Sequence, residues 1–254
     1  MNPGILNVAA YLHRLRYTGT VDPTIGSLCS LHRRHIETVP FENLDISLSR
    51  WIEIEDEASV RKIIDGHRGG FCYELNGAFA ALLRALGFRV TLLSARVARQ
   101  SGGEGPEFDH LALRVDLDEP WLVDVGFGDS FAEPLRLQPG LEQPQDVGTF
   151  RISQAAQSFT LERRQADDAW RPQYSFTLAP RQIDEFRDRC HFHQTSPESS
   201  FTQKRICSRL TPEGRITLSE WNLIVTNHGD REERRLGSEE EWRTALRQYF
   251  EIVV

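Results

Sequence analysis

Cysteine is scarce in this chain of 254 residues: Cys29, Cys72, Cys190 and Cys207 are the only four. None forms a C-x-x-C pair and none stands at a Cys/His spacing suited to zinc, so no metal is expected. Four scattered thiols in a chain this long also argue against a disulfide scaffold. Lysine is scarcer still. Lys62 and Lys204 are the only two among 30 basic residues, a skew that reads as codon bias. Net positive charge is missing as well: the formal charge is -7, which argues against a general binder of nucleic acid or anionic membrane. No apolar run approaches the ~20 residues of a membrane-spanning helix. The opening MNPGILNVAAYLHRLRY has neither the basic region nor the apolar core of a signal peptide. The cytoplasm is the expected compartment. There is no internal repeat, no low-complexity segment and no G-x-x-x-x-G-K-[ST] loop, and GFGDSF lacks the third glycine of a dinucleotide fingerprint.

At 39% hydrophobic and 26% charged residues, the composition is that of an ordinary globular protein. Residues 1–88 read as helical. NVAAYLHRLRY places Val8, Tyr11, Leu12 and Leu15 on one face, and DPTIGSLCSLHRRHIETV repeats Ile25, Leu28, Leu31 and Ile36 at helical spacing behind an Asp22 cap and Pro23. SVRKIIDGH reads as a short helix capped by Ser59, and NGAFAALLRALGF as an Ala/Leu-rich one ending at Gly87. From Arg89 the character changes. RVTLLSARV, HLALRVDL, PWLVDVG, TFRISQ, SFTLERR and QYSFTL are short β-type runs separated by turn residues, which predicts an antiparallel sheet or small barrel over 89–180. Residues 181–254 read as a linking helix (RQIDEFRDRCHFHQ), strands (FTQKRICSRL and RITLSEWNLIVTN) and a last helix with Ser238 and Glu241 as a capping box. The loop RQSGGEGPEFD reads as flexible. The expected fold class is α+β.

The chemistry centres on HRGGFCYELNGAF. Gly69 and Gly70 supply a tight turn, and Cys72 falls in the first turn of a helix. The helix dipole lowers a thiol pKa there, and unpaired N–H groups can serve an oxyanion. A lone cysteine in a helix start is more often a small apolar residue than a nucleophile. A nucleophilic reading needs a base and an orienting acid. Of the eight histidines, His13, His32 and His35 lie in charged helical segments and read as solvated. His191 and His193 flank the linking helix, His228 sits in a turn, and His67 precedes the glycines. His110 opens a strand directly after a loop, where a side chain can project into a cleft. Asp124 interrupts the apolar run PWLVDVG and needs a hydrogen-bonding partner. Asp109, Asp116 and Asp129 fit the alternative of a strand-end acid capping a turn.

These segments resemble the arylamine N-acetyltransferases. PTIGSLCSLHRRHIETVPFENLDI, RGGFCYELN, DVGFG, FHQTSPESSFT and GRITL are similar to that family's segments and run in its order over nearly the whole chain. The resemblance implies a helical bundle, a β-barrel and an α/β lid, with the triad Cys72, His110 and Asp124. It implies a Glu42–Arg68 pair, Asn76 hydrogen-bonded near Asp124, and Phe127 and Phe201 facing the acceptor pocket. A surface ion pair is the alternative for Glu42 and Arg68, and plain core for the two phenylalanines. It also implies acetyl-CoA as co-substrate, no metal, and an arylamine, hydrazine or arylhydroxylamine acceptor. A dedicated amide synthase and a cysteine hydrolase using the same triad are the rival readings.

Overall fold

A computed structural model describes residues 6–99 and 101–254. The first five residues of the opening segment and Gln100 of the loop lie outside the described residues. The helices form where the apolar periodicity places them, but two starts differ from expectation. α1 spans Val8–Arg14 and α2 spans Ile25–Thr38. The α2 cap is Thr24, whose hydroxyl accepts the Ser27 N–H at 3.3 Å, so Asp22-Pro23 belongs to the preceding turn. After α3 (Leu44–Ser47), α4 spans Asp56–Ile64. Ser59 is therefore no cap but a buried residue within α4. Asp56 and Glu57 fill the first turn, where their charge suits the helix dipole. α5 (Cys72–Ala85) buries every residue from Cys72 to Ala80, with Leu82 and Leu83. A helix shielded nearly all round belongs in a core, and α5 shares one with residues of α1, α2 and α4. Gly87, at φ +89°, takes the left-handed position that ends it.

The strand β1 (Phe41–Glu42) precedes these last helices. The central sheet then comprises β2 (Arg89–Val97), β3 (His110–Asp116), β4 (Pro120–Val123), β5 (Leu135–Arg136), β6 (Gln143–Gln145), β7 (Gly148–Ala155), β8 (Ser158–Arg164) and β9 (Trp170–Phe176). Its order is β5-β4-β3-β2-β9-β8-β7-β6, antiparallel throughout. The sheet curls until β5 and β6 meet, and glutamine amides replace the missing backbone ladder there. Gln143 accepts the Arg136 N–H at 2.8 Å and donates to Arg136 O at 3.1 Å. Gln145 accepts the Ala132 N–H at 2.8 Å and donates to Glu133 O at 2.8 Å. The nearly closed barrel encloses its own core, including Leu93, Phe150, Ile152 and Leu161.

Past Pro180, a 3-10 turn (Ile183–Phe186) leads into α6 (Arg187–Thr195), so His191 and His193 lie within this helix rather than beside it. FTQKRICSRL is not all strand. Its first three residues belong to α7 (Ser200–Gln203), and the strand begins only at Ile206. The second sheet comprises β10 (Ile206–Thr211), β11 (Gly214–Ser219), β12 (Asn222–Asn227) and β13 (Asp230–Arg235), with β1 pairing on β10. α8 (Glu239–Phe250) packs on it. β13 reads DREERR and is wholly exposed, and its charges guard an open edge. Ser238 caps α8 by accepting the Glu241 N–H at 3.2 Å, but Glu241 answers to the Gly237 N–H at 3.0 Å, one residue outside a true capping box. No helix among the described residues is long and apolar enough to cross a membrane.

Candidate active site

The glycines before Cys72 do something other than turn. The sharp bend falls at His67, at φ +49°. Gly69 and Gly70 instead permit close approach: a Cβ on Gly69 would stand 1.8 Å from Pro40 O, and one on Gly70 2.7 Å from Glu74 Oε2. The freed backbone pairs with β1 through the Glu42 N–H to Gly70 O bond at 2.8 Å. Cys72 then opens α5, buried at 4% exposure. The first intrahelical bond is Leu75 N–H to Phe71 O at 3.0 Å, so the N–H groups of Cys72, Tyr73 and Glu74 precede the ladder. Glu74 reaches back to the Phe71 N–H at 3.1 Å.

Beneath this turn lies a buried charge cluster. Arg68 donates from Nε to Glu42 Oε1 at 2.9 Å, and its Nη2 stands 3.0 Å from Asp45 Oδ1. Lys62 pairs with Asp45 at 2.7 Å and Glu74 at 2.6 Å. Glu42 is fully buried and Arg68 only 6% exposed, so the pair is no surface ion pair. Removing one partner of such a pair strands the other, at a cost of roughly 3–5 kcal/mol.

The candidate base and acid sit on and just past neighbouring strands. β3 and β4 pair through Leu113↔Val123 and Asp116↔Pro120, which carries His110 and Asp124 to the same end of the sheet. Asp124 does not interrupt β4. It lies one residue past its end. His110 Nε2 stands 2.7 Å from Asp124 Oδ2. Asp124 Oδ1 accepts from Asn76 Nδ2 at 2.8 Å and from the Gly126 N–H at 2.9 Å. Asn76 also accepts the Val125 N–H at 2.9 Å. A Cβ on Gly126 would stand 2.8 Å from Cys72 Cα, so the turn after Asp124 rests directly on the cysteine. Cys72, His110, Phe127 and Phe201 line one cavity of about 390 Å³. A larger surface hollow, about 670 Å³, between the start of α2 and the β3–β4 turn contains none of them.

Comparisons with known proteins bear on this arrangement. The N-acetyltransferase family profile matches residues 24–254. An arylamine N-acetyltransferase, a pineal gland isozyme of Gallus gallus, is 34% identical over 98% of this chain and 95% of that protein. The chain belongs to the arylamine N-acetyltransferases. An arylamine N-acetyltransferase / N-hydroxyarylamine O-acetyltransferase of Salmonella typhimurium is 34% identical over 87% of this chain and 79% of its own. Among solved structures, the Salmonella typhimurium arylamine N-acetyltransferase superposes with a TM-score of 0.92 at 32% identity, covering 98% of this chain and 92% of that one. The Mycobacterium marinum arylamine N-acetyltransferase in complex with CoA superposes with a TM-score of 0.90 at 30% identity, covering 97% and 93%. The activity is acetyl transfer to arylamines, with acetyl-CoA as co-substrate.

In this arylamine N-acetyltransferase, electrostatics qualify the expectation for the thiol. Burial pushes the Cys72 thiol well above its ordinary value, and the Leu111 backbone N–H beside the sulfur pulls the other way without winning. Burial therefore opposes the lowering expected of a helix start. Burial also works to raise the Asp124 carboxyl, but His110 and the Asn76 and Gly126 hydrogen bonds outweigh it and hold the acid below its usual range. Burial raises Glu74 to about 7 despite Lys62, and Glu42 adds to the rise.

Three further side chains escaped the sequence reading. His32 and His35 are wholly buried, not solvated. His32 Nδ1 stands 2.9 Å from Ala132 O, and its Nε2 stands 3.0 Å from Asp124 O and 3.3 Å from Asp124 N. His35 Nε2 meets Tyr11 Oη at 3.1 Å. Their spacing from Leu28 and Leu31 was the available signal: all four share the inward face of α2. His193 of α6 lines the cavity, with Nε2 3.3 Å from Asp109 Oδ1. Asp109 is also clamped by Arg189 Nε at 2.8 Å, so it joins barrel to linking helix instead of capping a turn. The described part of the preceding loop is tied down by the Gly105 N–H to Val97 O bond at 2.8 Å and the Tyr73 hydroxyl to Phe108 O at 2.7 Å.

Proposed function

We propose that Cys72, His110 and Asp124 carry the acetyl group in two steps. In the first, His110 takes the Cys72 proton on Nδ1, the ring nitrogen that Asp124 leaves free. The thiolate attacks the thioester carbonyl of acetyl-CoA, and N–H groups at the start of α5 meet the oxyanion. The carbonyl re-forms, the CoA sulfur departs with the proton from His110, and acetyl-Cys72 remains. In the second, the acceptor nitrogen attacks that thioester, His110 removes its proton, and the Cys72 sulfur leaves. The 2.7 Å contact between His110 and Asp124 at the wall of the cavity that holds Cys72 supports this reading above all. Because burial disfavours a lone thiolate, Cys72 depends on the His110 imidazole to take its proton.

In the same reading Asn76 orients Asp124, the Glu42–Arg68 pair fixes the turn before the nucleophile, and Phe127 and Phe201 wall the acceptor pocket. Arylamines, hydrazines and arylhydroxylamines are the acceptors and the cytoplasm is the compartment. Three units divide the labour: residues 1–88 present the nucleophile, 89–180 the base and acid, and 181–254 the cover, with β1 reaching from the first into the sheet of the third. Mixing the protein with acetyl-CoA and no amine tests the reading by peptide mass. One acetyl group on the Cys72 peptide is expected. Label on Cys29, Cys190 or Cys207, or none where the amine reaction runs, overturns it.

A further inference from the structure

We infer that His32 is a positioning residue for Asp124, gripping the main chain where β4 ends so that the carboxylate meets His110. The inference rests on the triad reading above. The β3–β4 ladder ends at Leu113↔Val123. One residue on, the Asp124 N–H donates to His32 Nε2 at 3.3 Å, which leaves the ring proton on Nδ1. The opposite ring nitrogen holds Ala132 O at 2.9 Å. One imidazole from α2 thus joins both ends of residues 124–132, the turn that carries Asp124, Gly126 and Phe127. The ring has no freedom to wander. It is wholly buried, stacks on Phe131 at 5.5 Å between centroids and meets Phe79 edge-on at 6.3 Å. Asn76 grips the same turn from α5, at the carboxylate and the Val125 N–H. Two helices therefore hold the acid from two sides, Asn76 by its side chain and His32 by its backbone.

Amide isosteres separate the two ends of the imidazole. His32→Gln places a polar group where Nε2 sits and keeps the grip on Asp124. His32→Asn places one where Nδ1 sits and keeps only Ala132. His32→Phe keeps the stacking and neither grip. The readouts are the rate of acetyl-enzyme formation and the pH profile of Cys72 alkylation, with thermal melting as the check on folding. The Gln variant should keep the wild-type profile. The Asn and Phe variants should lose about 100-fold in acetyl-enzyme formation, as for a reacting group displaced by ~1 Å, together with reactivity on the acid side. On an Asp124→Asn background, neither should cost anything more. Folded Gln, Asn and Phe variants with equal profiles overturn the inference, and so does a folded Gln variant that loses acid-side reactivity. Should Asn or Phe fail to fold, the other decides. An Asp124→Asn protein that alkylates and acetylates like wild type instead removes the triad reading itself, a separate failure.

Discussion

Asp124→Asn is the substitution for which the hydrogen-bond inventory dictates an outcome. The Oδ1 position faces two donors, Asn76 Nδ2 at 2.8 Å and the Gly126 N–H at 2.9 Å. The new amide must put its oxygen there, because an NH2 group would leave both donors unpaired. Its NH2 then faces His110 Nε2 across the 2.7 Å contact. That nitrogen must offer a lone pair, which moves the ring proton to Nδ1, and Nδ1 can no longer accept the Cys72 proton. Both donors at Oδ1 keep their acceptor, so the fold should survive. An inverted tautomer in a comparable triad costs about 10⁴ in rate, or roughly 5.5 kcal/mol at 1.36 kcal/mol per decade. Alkylation of Cys72 against pH reads the mechanism directly. In the wild type the Asp124 carboxyl is held below its usual range, so on the proposed triad Cys72 should pass its proton to His110 and stay reactive into the acidic range. In the variant only the burial-raised thiol remains, and reactivity should appear only above the ~8.5 of a free thiol. Burial, the largest influence on each, pushes Cys29 up to about 11 and Cys190 up to about 12, and Cys207 is likewise raised, so acid-side labelling reports Cys72. A folded Asp124→Asn protein that alkylates like wild type at acidic pH refutes the reasoning.

Initial rates with acetyl-CoA and arylamine varied together should give parallel double-reciprocal lines, as an acetyl-enzyme requires; converging lines would mean direct transfer and a different role for Cys72. Glu74 makes a stability prediction. Its folded pKa of about 7 exceeds the reference 4.5, so its contribution is full below the lower value and is lost as pH rises through the higher one. That amounts to on the order of 3 kcal/mol. Glu74→Gln can still cap the Phe71 N–H, and urea melts from acid to neutral pH should show a flatter decline than wild type; identical slopes would assign the titration elsewhere. Gly126→Ala should displace the Asp124 turn, since its Cβ would stand 2.8 Å from Cys72 Cα. Acetyl-enzyme formation should fall about 100-fold with a stability loss of roughly 1–3 kcal/mol. Single-turnover rates within twofold of wild type would show that the turn yields freely.

Local order was legible in the residues themselves. Apolar spacing marked α2 and α5, β-branched runs marked β2 at its observed bounds and β3 to within one residue, and Gly87 marked a helix end, because each depends on neighbours a few positions away. The same locality singled out Cys72, His110 and Asp124 as candidates, which only the family resemblance joined into a triad: a cysteine behind two glycines, a histidine opening a strand and an acid in an apolar run each stand out in their own segment. What escaped is what depends on partners distant in sequence. Whether His32 meets water or the Asp124 backbone is decided 92 residues away, and charged neighbours on α2 say nothing about it. Glu42 and Arg68 are 26 residues apart, and only tertiary packing removes them from solvent. β1 is two residues long and exists as strand because β10 lies beside it; the barrel edge closes on Gln143 and Gln145, whose amides carry no strand signal at all. The thiol shows the limit most plainly. Its position at a helix start is written in the sequence, while the burial that pushes its pKa up is a property of the packed molecule.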